Sequence, residues 1–196
     1  MKPQAPFAVV MLAAAFSMPA AATDIAVAAD ATWHEFVVDN LIAPSFSNRW
    51  IDFNDGSPLA FTFTISTGNV GTFSVVDAGF AGDTFSVTND GALLGQTSNV
   101  APGTIDGTVA DTFDAAFADP AYSRGIFTLG AGSYRVSGLL GQSVTGADGL
   151  LLNSTNGAVR LSIVAAVPEP STYALLLAGL GAVGFANRSR SRSRNR

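Results

Sequence analysis

The 196-residue chain is 48% hydrophobic and only 13% charged, where soluble domains average about 25% charged residues. Its net charge of −5 hides an asymmetry: residues 23–165 hold four arginines against fourteen acids, a net of −10, so this stretch repels nucleic acid and anionic headgroups while tolerating divalent cations. The chain has no cysteine, which excludes disulfides, thiolate metal sites and cysteine nucleophiles.

The N-terminus has Lys2, an apolar run from Phe7 to Phe16, and Ser17-Met18-Pro19-Ala20-Ala21-Ala22. A positive start, a short apolar stretch and small residues at an Ala-x-Ala site describe a secretory signal peptide. The apolar run is shorter than the roughly 20 residues that span a bilayer. A core helix is the alternative, but apolar residues surround every face of the run rather than one. The expected organisation is a signal peptide over 1–22, an acidic domain over 23–165 and a separate C-terminal segment over 166–196. Cleavage is expected after Ala22, with Ala28 as a second site.

The acidic domain reads as an all-β fold. Trp33 to Val38 is a first strand. Leu59-Ala-Phe-Thr-Phe-Thr-Ile65 puts Phe61, Phe63 and Ile65 on one face, the period of two that marks a half-buried strand. Thr72–Val75, Thr84–Thr88, Ala92–Thr97, Gly125–Leu129, Tyr134–Val136 and Val159–Ile163 follow. Asn89-Asp90-Gly91 reads as a tight hairpin, and Asn156-Gly157 as a turn before the last strand. Phe113–Phe117 is a helical turn or a loop. About eight strands at roughly ten-residue spacing predict an antiparallel, jelly-roll-like β-sandwich. Eleven of the chain's fourteen phenylalanines lie in this domain and are expected to supply its core, each burying about 150–250 Å².

No catalytic constellation emerges, and the chain is not expected to be an enzyme. His34 is the only histidine. It lies in a strand, no Gly-x-Ser-x-Gly elbow accompanies it, and it is expected to face outward. Glu35 is the one glutamate before the C-terminal segment, so a two-carboxylate glycosidase is disfavoured. Asp77-Ala-Gly-Phe-Ala-Gly-Asp83 sets two carboxylates around a glycine-flexed loop, and Asp52 and Asp55 form a second pair. Both could offer oxygens to Ca²⁺, but neither carries an EF-hand or nonapeptide pattern, and turn hydrogen bonding is the favoured reading. No metal or cofactor is therefore expected, with Asp77 and Asp83 the residual candidates. Trp33 and Trp50 could stack on sugar rings if exposed, but core or edge packing is the favoured reading.

The C-terminus reads Val167-Pro168-Glu169-Pro170, then an uncharged apolar stretch over 171–186, then Arg188, Arg190, Arg192, Arg194 and Arg196 alternating with serine and asparagine. Two prolines two apart force an extended linker. The helix that follows is about 24 Å long at 1.5 Å per residue, a little short of a hydrocarbon core near 30 Å, and the arginines would hold its end in the cytoplasm. A C-terminal core helix with a basic tail is the alternative. Linker, apolar helix and arginine cluster together resemble the PEP-CTERM sorting domain of Gram-negative bacteria. The resemblance covers about the last thirty residues. It implies recognition by an exosortase, a membrane cysteine transpeptidase of which this chain is the substrate. It also implies a transient membrane anchor and a place in the exopolysaccharide of a biofilm matrix. The expected role is a non-enzymatic exported surface or matrix protein; the alternative is a glycan-binding module, with or without Ca²⁺.

Overall fold

The computed structural model describes residues 22–166 and 174–183. The signal-peptide reading over 1–22, the Pro168-Glu169-Pro170 linker and all five terminal arginines fall outside the described residues, apart from Ala22. In chain order the strands are β1 (Thr23–Ala26), β2 (His34–Asp39), β3 (Leu59–Ile65), β4 (Asn69–Asp77), β5 (Thr84–Asn89), β6 (Ala92–Gln96), β7 (Arg124–Leu129), β8 (Gly132–Gln142) and β9 (Ser154–Ala165), with helix α1 (Phe113–Ala118) before β7.

They form two sheets, ordered β1-β3-β8-β5-β6 and β2-β9-β4-β7. Strands β2 to β9 alone make four against four, and every pairing among them is antiparallel. From β2 to β5 each strand crosses to the opposite sheet, and from β6 to β9 the crossing resumes, which is the jelly-roll path. Strand β1 was not foreseen. It adds to the free edge of β3 in parallel, Thr23 opposite Leu59, and is tied down by the Arg135–Asp24 ion pair at 2.7 Å.

Alternation along each strand aims Phe36 and Val38, Phe61, Phe63 and Ile65, Phe73 and Val75, Phe85 and Val87, and Val159 and Leu161 into one core between the sheets. Phe36 stacks on Trp50 with centroids 4.0 Å apart, and Phe85 meets both rings edge-on. Phe63 lies between Phe73 and Tyr134. A smaller cluster forms on the outer face of the four-stranded sheet, where Val76 and Ala158 pack under α1 and Tyr122.

Two expectations are corrected. Asn156-Gly157 is not a turn but the interior of β9, where Phe36 sits directly opposite Gly157. A Cβ there would collide with the Phe36 ring and come within 2.6 Å of the Val76 carbonyl. This glycine serves ring packing, not chain reversal. His34 does not face outward. It shares the parity of Phe36 and Val38, its ring centroid is 6.5 Å from that of Phe61, and its Nε2 is buried without a partner.

The Asn89-Asp90-Gly91 hairpin forms as read, with Asp90 and Gly91 at φ 47° and 82°, the left-handed pair that the primed turns of tight hairpins require. Residues 174–183 are helical, and every side chain on that helix is exposed. Among the described residues no helix is long and apolar enough to cross a membrane.

Candidate functional site

A concavity lies on the outer face of β2 and β9. Glu35, Val37 and Asp39 alternate outward along β2, beside Ser154 and Asn156 of β9. The segment Ala78-Gly79-Phe80 and residues Val109 and Ala110 wall one side; Phe53 and Leu152 rim the other. The groove holds about 670 Å³. Its chemistry is acidic and amphipathic. Asn156 Nδ2 donates to Glu35 Oε1 at 3.2 Å, Ser154 Oγ donates to Asp39 Oδ2 at 3.2 Å, and the Leu41 amide donates to Asp39 Oδ1 at 2.7 Å. Phe53, 68% exposed, offers a free ring at the rim. Glu35 and Asp39 are four residues apart on one strand, hence about 13 Å apart at 3.3 Å per residue. That exceeds the roughly 5–9.5 Å separating the carboxyls of glycoside hydrolases.

Behind the groove the core ends in a polar layer. Asp77 closes β4 with the parity of Phe73 and Val75; Asp83 precedes β5 with the parity of Phe85 and Val87. Alternation therefore turns both carboxylates inward, and both are 0% exposed. Asp77 Oδ2 accepts from the amides of Gly82 and Asp83 at 3.3 and 3.2 Å, and Asp83 Oδ1 accepts from the Val144 amide at 2.8 Å. The other oxygen of each, Asp77 Oδ1 and Asp83 Oδ2, has no hydrogen-bond partner. Thr97, Ser123, Ser143 and Thr155 complete the layer, all buried. Thr97 Oγ1 donates to Ser123 Oγ at 2.9 Å and accepts from the Phe85 amide at 2.9 Å.

Burial pushes the Asp77 carboxyl up to about 8, helped by the charge of Asp83 and opposed by the amides of Asp83, Gly82 and Gly79. Burial likewise lifts Asp83 to about 6, against the Thr155 hydroxyl and the Val144 amide. Both shifts follow from taking a carboxylate out of water.

Other sequence candidates fall elsewhere. Asp52 and Asp55 are turn residues, as read: Asp52 Oδ1 accepts from the Asn54 amide at 2.7 Å, and Asp55 Oδ1 from the Ser57 amide at 2.9 Å. Trp50 is corrected as a sugar-stacking candidate, because it is 1% exposed and stacked on Phe36, so neither face of its ring is free. The Trp33 ring is engaged too. It is packed by Phe113 and Phe117 and covered by the Arg160 guanidinium at 4.3 Å, and its Nε1 donates to Asp114 Oδ1 at 3.0 Å. Phe53 and the groove carboxylates were missed as a group. The β9 groups that complete the groove, Ser154 and Asn156, lie more than a hundred residues from Glu35, Asp39 and Phe53, and the only local signal is the outward parity of Glu35 and Asp39.

Comparison with known proteins is informative at the C-terminus. No curated protein matches the chain. Among solved structures, the pre-peptidase C-terminal domain of a collagenase from Bacillus anthracis is similar at 9% identity and a TM-score of 0.39, over 74% of this chain and 99% of that one. The family described as the PEP-CTERM protein-sorting motif matches residues 166–191, which spans the Pro-Glu-Pro linker, the apolar helix and the first arginines. The chain thus carries a PEP-CTERM protein-sorting motif and is an exosortase-targeted secreted protein.

Proposed function

We propose that the mature protein is a non-enzymatic component of the cell surface or extracellular matrix of a Gram-negative bacterium, associated with exopolysaccharide in a biofilm. In this reading a signal peptide over 1–22 directs export. The 171–186 helix then holds the chain in the inner membrane, with the terminal arginines on the cytoplasmic side. The exosortase cuts near Pro168-Glu169-Pro170 and releases the acidic sandwich. The observation that carries the reading is the sorting motif directly after a sandwich whose last strand ends at Ala165. The exposed apolar helix over 174–183 supports it, since a helix apolar on all sides needs a membrane or a core around it.

Intact-mass analysis of the protein released from cells with and without the exosortase tests this. The expected result is a released chain lacking the helix and arginine tail only when the enzyme is present. A released chain that keeps the tail in enzyme-positive cells would sink the proposal.

A second reading, glycan binding with or without Ca²⁺, shifts from the engaged tryptophans to the outer groove, where Phe53 stands free beside Glu35, Asp39 and Asn156. An exposed ring next to fixed hydrogen-bonding groups suits a sugar face. A glycan array probed with wild type and Phe53→Ala tests it, and equal binding by both chains excludes the groove.

A further inference from the structure

We infer that Asp77 and Asp83 form a buried calcium site at the polar end of the sandwich core. Two inward carboxylates with nothing positive beside them are costly to bury. Among the described residues the ion pairs are Arg135–Asp24 and Arg160–Asp114, and neither involves this pair. Asp77 Oδ1 and Asp83 Oδ2 accept no hydrogen bond, so as carboxylates both are left without a positive partner. A cation held by the pair would supply one.

The donors around the pair decide which cation. The buried polar side chains of this layer are those of Thr97, Ser123, Ser143 and Thr155, all hydroxyls, so the site offers oxygen only. Zinc and the softer metals favour nitrogen and sulfur. Mg²⁺ demands near-ideal octahedral geometry and retains waters, whereas Ca²⁺ accepts irregular sets of 6–8 oxygens. Gly79, two residues after Asp77, and Thr155, whose hydroxyl acts on the Asp83 carboxyl, line the outer groove, so the pair lies close to a solvent-facing cavity. The seven-residue segment from Asp77 to Asp83 would close over the ion from both ends, since Asp77 Oδ2 already holds the Gly82 and Asp83 amides.

The inference does not depend on the sorting reading and is tested on the purified full-length chain in detergent. The protein is stripped with a chelator at near-neutral pH and titrated with CaCl₂, following heat of binding and the thermal midpoint. The expected result is a single Ca²⁺ per chain, a higher midpoint, and a weaker response to MgCl₂. At free Ca²⁺ one hundred times its dissociation constant the folding equilibrium shifts about 100-fold. Asp77→Asn and Asp83→Asn, which keep shape and remove charge, are expected to lose the response. If either variant fails to fold, wild-type calorimetry still decides. No binding by the wild type at about 10 mM Ca²⁺, well above the millimolar range of weak extracellular modules, overturns the inference. Binding that survives in both folded variants also overturns it, by moving the ion to the acidic surface.

Discussion

Gly157 lacks the one atom that the Phe36 ring would otherwise meet, and Gly138 does the same for the indole of Trp50. These two positions let the stacked pair fill the centre of the sandwich. Gly157→Ala is expected to cost about 1–3 kcal/mol through overpacking, read as a lower urea midpoint with an unchanged slope; an unaltered midpoint contradicts the packing account. The buried aspartates set the pH response of the metal-free protein. Their folded values, about 8 and about 6, lie above the ordinary 3.8, so the folded chain binds protons that the unfolded chain has released. That stability is fully present below the unfolded value and is lost as pH rises through about 6 and then about 8. Asp30 and Asp55 have the opposite sign, since the Thr32 and Ser57 amides hold them below the usual carboxylate range, and their contribution disappears only in stronger acid. The other titratable group coupled to the pair is Tyr122, raised by burial first and then by Asp77. In chelator the thermal midpoint is therefore expected to fall from about pH 5 to about pH 8.5, and Asp77→Asn to flatten the upper part of that slope. A flat wild-type profile would show that the pair is not buried as charge.

Helix α1 is short, and a few side chains hold it in place. Thr112 caps it by accepting from the Ala115 amide at 3.1 Å. Arg160, projecting outward from β9, lies 4.3 Å from the Trp33 ring centre and 4.9 Å from that of Phe117, and binds Asp114 at 2.9 Å. Removing it in Arg160→Ala is expected to cost about 1 kcal/mol from the cation–aromatic contacts and to speed amide exchange in α1 more than in β4 beneath it. Uniform exchange across both would mean that the arginine does not anchor the helix. At this scale the sequence was most readable. Leu59–Ile65 and the Asn-Asp-Gly hairpin are local patterns and formed where read. The misread element is β9, which begins at Ser154 instead of near Val159, because Asn-Gly has the composition of a turn and the partner that needs its missing side chain, Phe36, lies over a hundred residues earlier. Strand β1 went unread for a related reason: four residues carry too little alternation, and the parallel edge of β3 supplies the hydrogen bonds that define it.

The described residues divide into a sandwich and a C-terminal helix that belongs to the sorting segment. The last strand ends at Ala165, and every residue of the 174–183 helix is exposed. A chain ending after Ala166 is therefore expected to unfold at the same temperature as the full-length protein in matched detergent; a clear drop would show that the tail stabilises the body before it is cut away. The address was determined by the sequence itself, because proline rigidity, an uncharged stretch and clustered arginines act through neighbours along the chain. The all-β class and most strand positions were determined there too, since period-two alternation is a local property. Only the tertiary structure decided that Trp50 is core, that His34 turns inward, and that Asp77 and Asp83 are buried with one free oxygen each. Those outcomes depend on which strand faces which across the sandwich. That register is set by the joint packing of Phe36, Trp50, Phe61 and Phe85, residues that no local pattern brings together.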